Sequence, residues 1–338
     1  ASIQNLGAMD VLCTDKTGTL TEARIRLERC VDGAGRDSDH ALLLARLNSA
    51  FESGLKSPLD EAILAHGTVD LAGWQKIDEV PFDFERRRVS VLVERGAARW
   101  LVVKGAPDDV LGLCCLQEQE AGGGQVPLDD AALRELKKRC SDLEREGLRV
   151  LAIAWRAVPA DHAHADVRDE CTLVFAGFAA FIDPPKAGAA EALAALARSG
   201  VAVKIVSGDS ELVTEHLCGL LKIAVTGVLT GSQIALLDDA SLRARVAHTN
   251  LYCRVNPAQK NRIILALKAR GHVVGYLGDG INDAPALHSA DVSLSVNTAV
   301  DVAKDAADRI LLKRDLNVLY DGVLEGRRTF ANVRKYIM

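Results

Sequence analysis

The 338 residues are 49% hydrophobic and 26% charged with a formal charge of -5, the balance of an ordinary folded protein long enough for two domains, each with its own core. The mild acidic excess, with Lys and Arg scattered among Asp and Glu, excludes an electrostatic case for nucleic acid as partner. No apolar run reaches the roughly 18 to 20 residues that span a bilayer, the longest lying around Leu173 to Ile182, and the eight cysteines form no CxxC or Cys/His cluster, so reduced thiols rather than a metal-thiolate site are expected.

In chain order, the first expected element is a strand over Asp10 to Thr14, closed by the run Asp15-Lys16-Thr17-Gly18-Thr19-Leu20-Thr21. From about Glu22 to Phe178 the pattern changes. Alternating segments at Val89 to Glu94 and Arg99 to Lys104, helices near His40 and Asp130, and a glycine turn at Gly122 to Gly124 suggest an antiparallel sheet with helices. Beyond it, short apolar strands at Val201 to Val206, Leu251 to Val255, Val273 to Leu277, Val292 to Val296 and Ile310 to Leu312 alternate with helices starting near Lys186, Ser210, Pro257, Ala299 and Leu316. Such alternation is the sequence form of βα units around a parallel sheet. Because the first strand precedes the different segment and the others follow it, that segment reads as an insertion. The expected division is 1–22 with 180–338 for the parallel-sheet domain and 23–179 for the inserted α+β domain. The start, Ala1-Ser-Ile-Gln, and the end, Tyr336-Ile337-Met338 within a helical pattern, suggest a piece of a longer chain.

An open parallel sheet binds ligands outside the carboxyl ends of its strands. Asp15, Ser207-Gly208-Asp209 and Gly278-Asp279-Gly280 each follow such an end, so polar groups from three strands are expected at one edge. Asp15 is followed by glycine and hydroxyl residues that let the backbone curl around an anion, and a carboxylate so placed can attack phosphorus.

The run from Asp15 to Thr21 matches in full the phosphorylation signature DKTGTLT of P-type ATPases, of the haloacid-dehalogenase superfamily. The chain also resembles that family at Ser207-Gly208-Asp209-Ser210, at Pro257-Ala258-Gln259-Lys260 and at Gly278 to Leu287, in the family's order. The resemblance implies a Rossmann-like parallel-sheet domain carrying an inserted nucleotide-binding domain, with Asp15, Lys16, Thr17, Ser207, Gly208, Asp209, Lys260, Asn282 and Asp283 catalytic. It further implies Mg2+ held by Asp15, the Thr17 carbonyl and Asp279, so that one anion can attack another. Ser207 stands where the family usually has threonine, keeping the hydroxyl at a loss of about 1 kcal/mol of methyl packing. Thr17 occupies the position where soluble phosphatases of the superfamily carry a general-acid aspartate, so a long-lived aspartyl phosphate is expected.

In the inserted segment, Pro81 to Arg88 resembles the motif whose aromatic ring stacks on adenine, with Phe82 chosen over Phe84 and Arg87 directed to phosphate. Lys104-Gly105-Ala106-Pro107 resembles the KGAP motif, Glu61 in Ser57 to Ala62 is the expected partner of the adenine amino group, and Arg149 is expected on the phosphates. Asp183 to Lys186 looks like the hinge back into the first domain. The resemblance thus implies ATP and Mg2+ as cofactors, actuator and transmembrane domains of the same full-length protein as partners, a monomeric fragment, and a place on the cytoplasmic side of a membrane. The segments Phe51 to Lys56, Pro81 to Arg88 and Glu325 to Asn332 look most like bacterial magnesium-transporting ATPases, with calcium or proton pumps and a free-standing phosphatase of the same fold as alternatives.

Overall fold

The computed structural model describes residues 3–337 except 55, 68, 84, 120–123 and 313–315, so Phe84 and most of the expected glycine turn lie outside the described residues. The chain divides into two compact units, Ala1–Arg24 with Asp183–Met338, and Ile25–Ile182.

In the first unit seven parallel strands run in the order Val228–Thr230, Leu251–Cys253, Ala202–Val206, Val11–Thr14, Val274–Leu277, Val292–Val296 and Arg309–Leu311. Val11–Thr14 is buried at every position, as a central strand covered on both faces must be. Its two neighbours are the strands that end at Val206 and Leu277, so the three polar turns emerge side by side at one edge. The strand Val228–Thr230 is the one member that the sequence pattern did not reveal. Three residues are too few to show a period, and pairing with Leu251–Cys253 holds it.

Helix Pro257–Lys268 shows how local sequence aims a functional group. Asn256 accepts from the Gln259 amide at 2.9 Å while the Gln259 side chain accepts from the Asn256 amide at 3.0 Å, and Pro257 occupies the first turn. With the start fixed, helical periodicity puts Lys260, Ile263, Ile264 and Leu267 on the buried face. Lys260 therefore enters the interior on the same stripe as the core.

The second unit is built on an eight-stranded sheet in the order Gln75–Asp83, Arg88–Arg95, Ala98–Gly105, Arg149–Ala157, Leu173–Ile182, Cys114–Glu118 and Gln125–Pro127, with Arg26–Val31 also paired to Leu173–Ile182. The expected antiparallel pairing holds except between Cys114–Glu118 and Leu173–Ile182, which run parallel. The long connection through helix Asp130–Arg145 permits that crossover. Helices Asp39–Phe51 and Pro58–Ala65 cover one face through Leu44, Leu47, Leu59 and Ile63, and Asp130–Arg145 covers the other through Leu136, Cys140 and Leu143. The apolar run at Leu173–Ile182 is thus a strand buried between two cores. Among the described residues no helix is long and apolar enough to cross a membrane.

Candidate functional site

At the carboxyl edge of the parallel sheet the loop after Val11–Thr14 is stitched to itself. The Thr14 hydroxyl donates to the Asp15 carbonyl at 2.9 Å and lies 3.1 Å from the Thr19 hydroxyl, the Leu20 amide donates to the Lys16 carbonyl at 3.0 Å, and the Gly18 amide donates to the Thr21 hydroxyl at 3.2 Å. Gly18 has a φ of +72°, and a Cβ on it would lie 1.6 Å from Asp279 Oδ2. Only glycine lets this loop close against Asp279.

One oxygen from each of Asp15, Asp279 and Asp283 lies within 4.8 Å of the others. The Lys260 ammonium donates to Asp15 Oδ1 at 3.0 Å and to Asp283 Oδ1 at 2.8 Å. Asp283 is buried and fully engaged: it also accepts from the Tyr276 hydroxyl at 2.7 Å and from the Asp279 and Gly280 amides, both at 3.1 Å. Burial pushes the Asp15 carboxyl up to about 6, the Lys260 ammonium pulling it down and the Asp283 carboxylate pushing it up. Burial, then the carboxylates of Asp15 and Asp283, push Asp279 up to about 7. Burial works against the charge on Lys260, but those carboxylates outweigh it and raise its pKa above the ordinary lysine value.

Three carboxylates, of which the Lys260 ammonium is bonded to two, form a cluster short of positive charge. All of the donors are hard oxygens, without thiol or imidazole, which suits a small divalent cation such as Mg2+.

Lys16 and Asp209 form a buried ion pair, which ties the Asp15 loop to the turn after Val206. The Ser207 hydroxyl accepts from the Asp209 amide at 3.1 Å. Thr17 is half-buried, whereas Gly208 and Asn282 are exposed. One contributor went unassigned by sequence reasoning: the Lys186 ammonium donates to the Gly18 carbonyl and pulls the Asp279 carboxyl down. Its position just after Asp183-Pro184-Pro185 was the available signal, read there only as a hinge.

The second unit gathers the other set of expected residues. Lys104 is 5% exposed; it pairs with Asp60, donates to the Ser49 hydroxyl at 2.8 Å and lies 3.5 Å from Glu52 Oε2. Asp60 also takes part in the capping box with Ser57 that starts helix Pro58–Ala65. Glu61, one step on, is exposed, so the acid that faces Lys104 is Asp60. Sequence reasoning set Glu61 toward the adenine amino group and left Asp60 unassigned; helical phase turns the first out and the second in. Phe82 is 49% exposed at the end of Gln75–Asp83. Gly105 pairs with Arg88, and a Cβ on it would lie 2.6 Å from the Arg87 carbonyl, which accepts from the Ala106 amide at 3.0 Å. Residues 87–89 and 104–106 are therefore one local structure. Arg87 is exposed and lies 3.6 Å from Asp109, and Arg149 is exposed at the start of Arg149–Ala157.

The chain is thus a parallel α/β unit with a lysine-bound aspartate at its carboxyl edge, interrupted in sequence by a mixed-sheet unit. A model of the family described as P-type ATPase, cytoplasmic domain N, matches residues 18–188. The chain belongs to the P-type ATPase family. It is 50% identical over 343 residues to a magnesium-transporting ATPase, P-type 1, of Salmonella typhimurium strain LT2, and 49% identical over the same length to one of Escherichia coli K12; each alignment covers 99% of this chain and 38% of the relative. A calcium-transporting ATPase of Listeria monocytogenes is 29% identical over 365 residues, 99% of this chain and 41% of that protein. The chain thus spans 38% of the length of the magnesium-transporting relatives.

Proposed function

We propose that this chain is the catalytic part of a cation-transporting ATPase in which the Ile25–Ile182 unit binds ATP and Asp15 accepts its terminal phosphoryl group, with magnesium as the cargo. The observation that carries the reading is the Asp15 carboxylate held 3.0 Å from the Lys260 ammonium, its oxygen within 4.8 Å of Asp279 and Asp283. Magnesium is favoured over calcium as cargo because the relatives named for magnesium transport are 50% and 49% identical, against 29% for the one named for calcium.

In the proposed reaction an Asp15 oxygen attacks the γ-phosphorus of ATP, the bond from that phosphorus to the bridging oxygen breaks, and ADP leaves. Asp15 and Asp279, with the Thr17 carbonyl, would hold a Mg2+ ion, which when bound supplies the positive charge that offsets repulsion between carboxylate and phosphate. The Lys260 ammonium holds Asp15 ionised and oriented and meets charge on the transferring group. Asp283 fixes Lys260, and the pair Lys16–Asp209 fixes the loop. The hydroxyls of Thr17 and Ser207 and the Gly208 amide are the donors for the phosphoryl oxygens, with Asn282 and Asp283 completing the surroundings. Thr17 has no carboxylate with which to activate water, so the aspartyl phosphate awaits a base from another part of the full-length protein, which would also contain the membrane path for the ion.

Incubation with radiolabelled ATP and Mg2+ is expected to give a slow, acid-stable, hydroxylamine-labile phosphoprotein. Asp15→Asn abolishes it while leaving the calorimetric affinity for ATP unchanged. Label persisting in Asp15→Asn would remove Asp15 as the acceptor.

A further inference from the structure

Glu170 lies between the short 3-10 turn Val167–Asp169 and the strand Leu173–Ile182, more than eighty residues from the segment that it holds. It is 2% exposed, and its two oxygens take four hydrogen bonds: from Arg86 Nη1 at 2.8 and 3.0 Å, from Arg88 Nε at 2.7 Å and from the Ser90 hydroxyl at 2.6 Å. The network continues outward. Arg86 Nη2 donates to the Pro81 carbonyl at 2.6 Å, the residue before Phe82, and Arg88 Nη1 donates to the Arg86 carbonyl at 3.2 Å.

The turn thus held is a demanding one. The Asp83 carboxylate accepts from the Glu85 and Arg86 amides at 2.9 and 2.8 Å, and Arg87 sits at a φ of +52°, a left-handed conformation that a non-glycine residue keeps only when its surroundings fix it. Of three successive arginines, two are turned in to Glu170 with side chains 19% and 13% exposed, and Arg87 is turned out at 49%.

We propose that Glu170 is a positioning residue of the nucleotide site: by binding Arg86 and Arg88 it fixes the described residues around them so that Phe82 and Arg87, rather than Arg86 and Arg88, are presented to the ligand. Arg86 and Arg88 are thereby withheld from the phosphates, and Arg87 is the guanidinium that meets them. A buried carboxylate between two guanidiniums is a poor way to gain stability alone, since an apolar replacement of similar volume often serves as well. What the cluster delivers is a fixed geometry. The inference rests on the reading that the Ile25–Ile182 unit binds ATP.

The test is calorimetric titration of a non-hydrolysable ATP analogue with Mg2+ into the chain and its variants, at a temperature where circular dichroism shows each one folded. Glu170→Gln keeps the shape and removes the charge; it is expected to weaken binding about tenfold, with Glu170→Asp recovering part of the loss. Amide NMR shifts in Glu170→Gln are expected to move at 81–90 and 104–107 and to stay in place at Leu136, Cys140 and Leu143. Arg86→Gln leaves Arg88 and Ser90 on Glu170 and is expected to weaken binding similarly, which keeps the question open to test if Glu170→Gln does not fold. Wild-type affinity in a folded Glu170→Gln or Arg86→Gln, beside a loss in Phe82→Ala, would overturn the positioning role alone. No binding by the wild type would overturn the nucleotide reading with it.

Discussion

Two buried charge clusters, one in each unit, have opposite balances. Around Asp15, three carboxylates have oxygens within 4.8 Å of one another, Lys260 is bonded to Asp15 and Asp283 but not Asp279, Lys186 only partly offsets Asp279, and burial pushes Asp15 and Asp279 up to about 6 and about 7. Around Glu170, one carboxylate takes four hydrogen bonds from two guanidiniums and a hydroxyl. The first is short of positive charge and so is receptive to a cation and to proton uptake. The second is satisfied from within, so it needs no ligand and shapes its neighbours instead. A buried charged cluster is therefore read from its balance: an imbalance points to a ligand, and closure points to a frame.

The comparison is broken most forcefully at Lys260. Lys260→Ala leaves Asp15 and Asp283 buried without their shared cation, which is expected to cost about 3 kcal/mol in denaturant melts and to slow acyl-phosphate formation by about a hundredfold or more. Rapid-quench labelling measures the second effect, and a variant with the wild-type rate would contradict the place given to Lys260.

Asp279→Asn sharpens the same contrast from the acid side. Removing one carboxylate from a repelling trio is expected to stabilise the metal-free chain by about 1 kcal/mol, a rise of a few degrees in Tm. Mg2+ raises the wild-type Tm by mass action, and that rise is expected to vanish in Asp279→Asn. An equal Mg2+ response in both proteins would place the ion elsewhere.

The smallest effect belongs to Phe82, whose ring stands 49% exposed on the frame that Glu170 holds. Phe82→Ala is expected to lose about 0.5 to 1.5 kcal/mol of ATP binding with no change in melting temperature. Unchanged affinity would move adenine stacking to another side chain.

Much of the carboxyl edge was legible from the chain alone, because its chemistry is local. Asp15, Ser207-Gly208-Asp209 and Gly278-Asp279-Gly280 stand directly after short apolar runs, and strand-end turns in a parallel sheet converge wherever the strands are neighbours. Lys260 was singled out only through the family motif in which it follows Pro257. Two contributors went unassigned. Asp60 meets Lys104 only through the phase of helix Pro58–Ala65. Lys186 reaches the Gly18 carbonyl from a segment 168 residues further on, a separation across which no periodicity operates.

By itself, then, the sequence determined which residue types stand at which strand ends and where one kind of patterning gives way to another, since these depend on near neighbours. The strand order that sets Val11–Thr14 between Ala202–Val206 and Val274–Leu277, the gathering of Asp283 and Tyr276 around Lys260, and the union of Glu170 with Arg86 and Arg88 were decided only by tertiary structure. The reason is energetic: a buried charge must find its counter-charge wherever in the chain it lies, and that partner is chosen by packing, not by spacing.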